Sequence, residues 1–71
     1  MNRKNNSLLN DWVKKQYKRQ RTIAFELGIL PGTLKAWLFQ GYVPLIQINE
    51  ISEKTGIDEK RLVAEYVKRR S

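Results

Sequence analysis

The side chains that could do chemistry in this chain lie in a short stretch, residues 31–40. If this stretch is helical, Leu34, Trp37 and Leu38 share one apolar face because they are spaced at i, i+3 and i+4. The outward face then consists of Gly32, Thr33, Lys35 and Ala36, and either Phe39 or Gln40 at its end. Of these last two residues, Gln40 is the candidate for contact with a partner. An ammonium, a hydroxyl and an amide can form hydrogen bonds to a partner, but they supply no nucleophile–base pair. The predicted chemistry is therefore non-covalent recognition.

The positive charge is concentrated in the half of the chain that contains this stretch. The net charge is +7, of which residues 1–41 carry +6 and residues 42–71 carry +1. Such a field is typical of a surface that binds a polyanion, although a solvated basic surface that aids solubility is the alternative. The basic side chains predicted to contact phosphates are Lys14, Lys15, Lys18, Arg19 and Arg21.

The composition argues against several classes of function. The chain has neither cysteine nor histidine, so it lacks the residues for a disulfide framework, a zinc–thiolate site or histidine base catalysis. We expect no enzyme, no metal, no cofactor and no small-molecule ligand. No apolar run approaches the roughly 18 residues of a membrane span, and the N-terminus lacks the apolar core of a secretory signal. The expected location is the cytoplasm, without membrane association.

The elements that must position residues 31–40 form a helix-turn-helix over about residues 20–41. Ile23, Ala24 and Leu27 share an inward face of the preceding helix. Gly28 then lies where that helix must end, often through a left-handed residue, and Pro31 fits the first turn of the next helix. The sequence therefore predicts two short helices that cross closely at the small Ala24.

Three further helices complete the predicted all-α fold of about five short helices, a single domain over residues 7–71. The first begins after Asn6 or Ser7 and runs to about Tyr17, with Trp12 as the largest core residue. Binding a membrane surface or an acidic partner is the less favoured explanation of its apolar stripe. Residues 1–6 precede it as a flexible arm, whose Arg3 and Lys4 are possible nucleic-acid contacts.

The fourth helix is predicted over about residues 44–55 and ends at Gly56. The apolar residues assigned to its core face are Leu45, Ile48 and Ile51, with Ile46 nearby. Asp58 is the predicted cap of a last helix that runs to about Arg69. Its apolar residues either pack on the core or form a dimer contact, and the sequence favours neither. No alternating pattern after Gly41 indicates a β-wing.

The segment TIAFELGILPGTLKAWLFQGYVP, with the following IQINEISEKTG, resembles the Cro and C-repressor class of phage-type regulators, including YdaS-like proteins. The resemblance covers about residues 20–57. It includes the alanine–glycine pair at the turn, the Trp-Leu end of the second helix and the Gly-x-x-Pro that follows. Leu30 stands where that family usually carries a small polar cap.

This resemblance implies a DNA-binding role for the two helices. The second helix would enter the major groove, with base contacts from Gly32, Thr33, Lys35, Ala36 and Gln40. Gln20 would open the first helix and contact phosphate, and Tyr42 is a further predicted phosphate contact. The expected partner is double-stranded DNA with a palindromic operator, bound by a homodimer.

Three classes of function remain after these arguments. A sequence-specific transcriptional regulator, most simply a Cro-like repressor, is favoured. A recombination accessory factor or an RNA-binding module is the second. An antitoxin-like protein that keeps the fold but binds another protein is the third.

Overall fold

The computed structural model describes residues 7–70, which form five helices and no strand. In chain order the helices are α1 (Leu8–Gln16), α2 (Gln20–Leu27), α3 (Pro31–Gln40), α4 (Leu45–Thr55) and α5 (Glu59–Arg70). The predicted all-α fold is therefore confirmed. The predicted arm, with Arg3 and Lys4, lies outside the described residues. None of the helices within residues 7–70 is long and apolar enough to cross a membrane.

Helix α1 is anchored at its N-terminus by two oxygen atoms. The side-chain oxygen of Ser7 accepts a hydrogen bond from the N–H of Asn10 at 3.0 Å, which is a typical N-cap. A carboxylate oxygen of Glu65, on α5, accepts from the N–H of Leu8 at 3.0 Å. The helix ends just before Tyr17, whose left-handed φ of 56° turns the chain. The basic run over residues 14–21 is therefore divided between α1 and α2.

The turn between α2 and α3 is a Schellman motif built on Gly28, which has φ of 75°. The N–H of Gly28 donates to the carbonyl of Phe25 at 3.1 Å, and the N–H of Ile29 donates to that of Ala24 at 3.0 Å. Ile29 packs against the core, as the hydrophobic follower of this motif usually does. Helix α3 then starts at Pro31 without a side-chain hydrogen bond at its N-cap. The predicted helix-turn-helix is thus present in the backbone.

A lysine from α4 also holds this turn. The Nζ atom of Lys54 donates to the carbonyl of Leu27 at 3.0 Å and lies 3.4 Å from a carboxylate oxygen of Glu50. The last carbonyls of a helix have no partner within the helix and attract a cation. The C-terminus of α2 is therefore tied to α4 at the point where the chain turns into α3.

Within residues 7–70, the core contains twelve buried apolar side chains drawn from all five helices and the turn before α4. They are Leu9, Val13, Ile23, Ala24, Leu27, Leu34, Trp37, Leu38, Val43, Ile48, Ile51 and Leu62. The inward faces predicted for the two helices of the helix-turn-helix are all in this set. Helix α2 packs mainly on α3, and α4 packs mainly on α5. Burial of one face of α3 fixes which of its residues reach solvent.

The prediction that Trp12 is the largest core anchor is wrong. Trp12 is only partly buried, whereas Trp37 is 6% exposed. The residues of α1 that face the core are Leu9 and Val13, which are spaced at i and i+4. Trp12 lies at the edge of that face, where it lines a hollow beside the turn between α4 and α5.

The core face predicted for α4 is correct only in its second half. Ile48 and Ile51 are buried, but Leu45 is 52% exposed and Ile46 is 85% exposed. The helix starts at Leu45, so both exposed residues lie in its first turn. The fully buried Val43, in the preceding turn, occupies the core at this end.

Candidate nucleic-acid interface

Helix α3 presents one continuous face to solvent. Gly32, Lys35, Ala36 and Phe39 are all exposed, and their spacing of i, i+3, i+4 and i+7 places them on one side of the helix. Three of the five predicted base contacts are in this set. The face combines one cation, two small residues and one large aromatic side chain. We call it the α3 face.

The other two predicted base contacts lie at the margins of the α3 face. Thr33 and Gln40 are half-buried. The side-chain amide nitrogen of Gln40 donates to the carbonyl of Tyr42 at 3.0 Å, which stabilises the turn after α3. Contact between Gln40 and a partner would require this amide to be shared or released.

A groove beside the α3 face joins three helices. It has a volume of about 340 Å³ and is lined by Asn10 and Lys14 from α1, Gln20 from α2, and Lys35, Leu38 and Phe39 from α3. We call it the basic groove. Two lysines and the first residue of α2 therefore meet at one place, although they are separated by up to 21 positions in the chain. This arrangement brings together Lys14, Gln20 and Lys35 from the predicted site.

Lys15 lies elsewhere, although it is the neighbour of Lys14 in the sequence. It lines a different hollow of about 450 Å³ together with Trp12, Asp58 and Arg61, among others. One position along a helix corresponds to about 100° of rotation, so adjacent lysines on α1 face different surfaces. The structure therefore does not bring Lys15 into the basic groove.

The remaining predicted phosphate contacts lie at the start of α2 and after α3. Arg19 and Arg21 are exposed at the N-terminus of α2, where the helix dipole favours an anion. The Nζ atom of Lys18 lies 2.8 Å from a carboxylate oxygen of Glu26, so its charge is partly neutralised. The ring of Tyr42 packs edge-to-face on Tyr66, with centroids 5.6 Å apart.

Phe39 is the member of the α3 face that the sequence did not single out. Periodicity leaves Phe39 and Gln40 as alternatives for the outward position at the end of α3, and hydrogen-bonding capacity favours Gln40 as the contact. The structure exposes 73% of Phe39 and half-buries Gln40. The signal that would have found it is its spacing of i+3 from Ala36 and i+4 from Lys35.

Glu65, a carboxyl group with a raised pKa, lies outside the basic groove. Burial raises the pKa of Glu65, and the hydrogen bond from the Leu8 N–H and the nearby Arg69 oppose this shift. Its second oxygen, Oε1, is buried and has no hydrogen-bond partner among residues 7–70. Because Glu65 joins α5 to the start of α1, this group belongs to the packing of the bundle.

The chain matches no family model, and neither the comparison with curated proteins nor that with solved structures gives a significant match.

Proposed function

We propose that this protein is a sequence-specific regulator that binds double-stranded DNA and places α3 in the major groove, in the manner of the Cro and C-repressor class. The observation that carries the proposal is the basic groove. There, Lys14 of α1, Gln20 of α2 and Lys35 of α3 line one groove beside the exposed α3 face. The excess of positive charge in residues 1–41 supports the same conclusion.

Each part of the site has a role in this proposal. The major groove is about 12 Å wide and accepts a single α-helix. Gly32 and Ala36 are small enough to let the backbone of α3 approach the bases, and Lys35 can donate to guanine O6 or N7. Lys14 and the N-terminus of α2 at Gln20 line the groove beside the helix, and in this proposal they contact phosphates and fix the docking register.

The α3 face carries few hydrogen-bond donors, which affects the kind of specificity expected. Lys35 is its one charged residue, and the amide of Gln40 is used within the protein. Specificity should therefore depend on a small number of base contacts together with the shape and deformability of the duplex. We expect a short recognition sequence in each half-site.

The proposal is tested by selecting binding sites from a pool of random duplexes. The expected result is an enriched sequence with guanine at a fixed position. A palindromic sequence with half-sites about 34 Å apart would indicate a twofold dimer on DNA. Binding should weaken with salt, with a log–log slope of about −0.9 for each phosphate neutralised.

Other outcomes of the selection would replace the proposal. Stronger binding to structured RNA than to the enriched duplex would favour an RNA-binding module. A lack of enrichment, with binding that does not depend on salt, would favour a protein-binding role such as that of an antitoxin.

A further inference from the structure

The N-terminal end of α3 carries a side chain that is unfavourable there for the free protein. Leu30 is the N-cap residue, and no side chain forms a capping hydrogen bond at this end of the helix. A leucine cannot accept a hydrogen bond from the first N–H groups of the helix, as Ser7 does for α1. The side chain of Leu30 is also 72% exposed. It therefore supplies neither a capping hydrogen bond nor much buried surface.

The start of α3 around Leu30 is open to a partner. Pro31 and Gly32 are exposed as well, and a Cβ atom added at Gly32 would meet nothing within 4 Å. We call these three residues the α3 tip. The tip is uncharged, and Leu30 is its largest apolar side chain. An exposed position at which the residue opposes the local structural preference is expected to serve function.

The group that the α3 tip contacts follows from the proposed function, on which this inference rests. In a helix-turn-helix, the N-terminal residues of the second helix contact base edges in the major groove. These edges present hydrogen-bond donors and acceptors and, on thymine alone, a C5 methyl group. The side chain of Leu30 can neither donate nor accept a hydrogen bond. The thymine methyl group is therefore the part of a base edge that matches it.

We infer that Leu30 reads a thymine through its C5 methyl group and is a specificity-determining residue of α3. The contact removes apolar surface of both groups from water, which favours binding. Cytosine at the same position lacks the methyl group and loses this contact. Leu30 thus supplies part of the selectivity that the few hydrogen-bond donors of the α3 face do not supply, at the expense of a helix cap.

The first test uses the duplex selected above, with each thymine replaced in turn by deoxyuridine. This replacement removes only the methyl group and leaves base pairing unchanged. For the wild-type protein, we expect one position per half-site at which binding weakens about fourfold, the equivalent of one buried methyl group. Leu30→Ala should show no loss at that position. Leu30→Met should keep most of the sensitivity, because its side chain is apolar and of similar size.

The second test separates the contact with thymine from a role in folding. Leu30→Ser places a hydroxyl oxygen at the N-cap of α3, so circular dichroism melting should show a Tm about 4–8 °C above that of wild type. The same variant should lose the sensitivity to the methyl group. A residue that served the fold alone would not combine a gain in stability with a loss of discrimination.

Ile46→Ala is the matched control. Ile46 is an apolar residue that is 85% exposed and lies in the first turn of another helix, α4. This variant should keep the full sensitivity to the methyl group. Circular dichroism should show that it folds, because Ile46 is not in the core.

Each other outcome overturns a defined statement. If the wild-type protein is insensitive to deoxyuridine at every thymine, if the enriched duplex lacks thymine, or if Leu30→Ala and Leu30→Ser remain as sensitive as wild type, the thymine contact is refuted and the DNA-binding proposal stands. A Tm of Leu30→Ser below that of wild type would show that Leu30 serves the fold, which refutes the argument from the missing cap. If no duplex is enriched, both the proposed function and this inference fail.

Discussion

Replacing Gly28 by alanine tests how the helix-turn-helix is held, because two separable effects meet at this residue. Its φ of 75° is left-handed, and a Cβ atom there would lie 3.0 Å from Nζ of Lys54. That ammonium group donates to the carbonyl of Leu27 at 3.0 Å. Alanine at position 28 should therefore strain the backbone and also press on the hydrogen bond that joins α4 to the end of α2.

The magnitude follows from these two terms. A left-handed backbone costs a residue other than glycine about 1–2 kcal/mol. The ammonium group of Lys54 must shift by a few tenths of an ångström, and the weakening of its hydrogen bond adds up to about 1 kcal/mol, the net value of a typical hydrogen bond. We expect Gly28→Ala to lower the free energy of unfolding by about 1–3 kcal/mol, and by more than the strain alone. For a domain of this size, each kcal/mol lowers Tm by about 4–8 °C.

Gly56 provides the matched control. Its φ of 81° is also left-handed, it also ends a helix, and a Cβ atom there would meet nothing within 4 Å. Gly56→Ala should therefore show the strain alone, about 1–2 kcal/mol. Urea unfolding of both variants, in the wild-type and Lys54→Met backgrounds, separates the terms. In the Lys54→Met background the two substitutions should cost the same.

The reasoning is refuted if Gly28→Ala costs no more than Gly56→Ala in the wild-type background. It is equally refuted if the extra cost of Gly28→Ala persists after Lys54 has been replaced.

Two further predictions concern the core and the partly buried carboxyl group of Glu65. Trp37→Ala should lower the free energy of unfolding by about 3–5 kcal/mol because Trp37 is buried, whereas Trp12→Ala should cost about 1–2 kcal/mol because Trp12 is only partly buried. Urea unfolding distinguishes them, and equal costs would contradict the packing described. Because burial raises the pKa of Glu65, its contribution to stability is fully present below the pKa of the unfolded chain and is lost as pH rises through the pKa of the folded state. Glu65→Gln should therefore be more stable than wild type at pH 7, with a difference that shrinks as pH falls and Glu65 becomes protonated. A difference that grows on acidification, measured by unfolding at several pH values, would reverse the assigned sign.

The inward faces of α2 and α3 could be predicted from the sequence because they depend on local periodicity and on one turn. Ile23, Ala24 and Leu27 repeat with a helical period, and Gly28 marks the end of that repeat. These signals are contained within a few residues, so they specify the helix-turn-helix without knowledge of the rest of the chain.

The contacts that join distant parts of the chain could not be predicted in this way. The hydrogen bond from Lys54 to the carbonyl of Leu27 spans 27 positions, and that from the N–H of Leu8 to Glu65 spans 57. No local sequence pattern predicts either hydrogen bond, because the two partners of each bond meet only when the helices pack together. The error at Trp12 has the same origin, since the crossing of α1 with its neighbours decides which apolar residue is central.

The composition of the candidate site was predictable only in part for a related reason. Charge alone predicts the same role for Lys14 and Lys15, whereas the orientation of α1 places them on different surfaces. At the end of α3, the choice between Phe39 and Gln40 depends on the carbonyl of Tyr42, which accepts the amide hydrogen bond of Gln40. Both the separation of the two lysines and the exposure of Phe39 therefore depend on contacts between each helix and the rest of the chain, which helical periodicity alone does not contain.

The most direct test of the DNA-binding proposal compares Lys14→Ala with Lys15→Ala on the duplex selected from the random pool. The two residues are adjacent, exposed and of the same type, but only Lys14 lines the basic groove. The proposal predicts that Lys14→Ala weakens binding and reduces the magnitude of the log–log salt slope by about 0.9, the value for one phosphate contact. Lys15→Ala should leave both the affinity and the slope close to those of wild type. Equal losses from the two variants, or a larger loss from Lys15→Ala, would contradict the assignment of the basic groove as the DNA-binding surface.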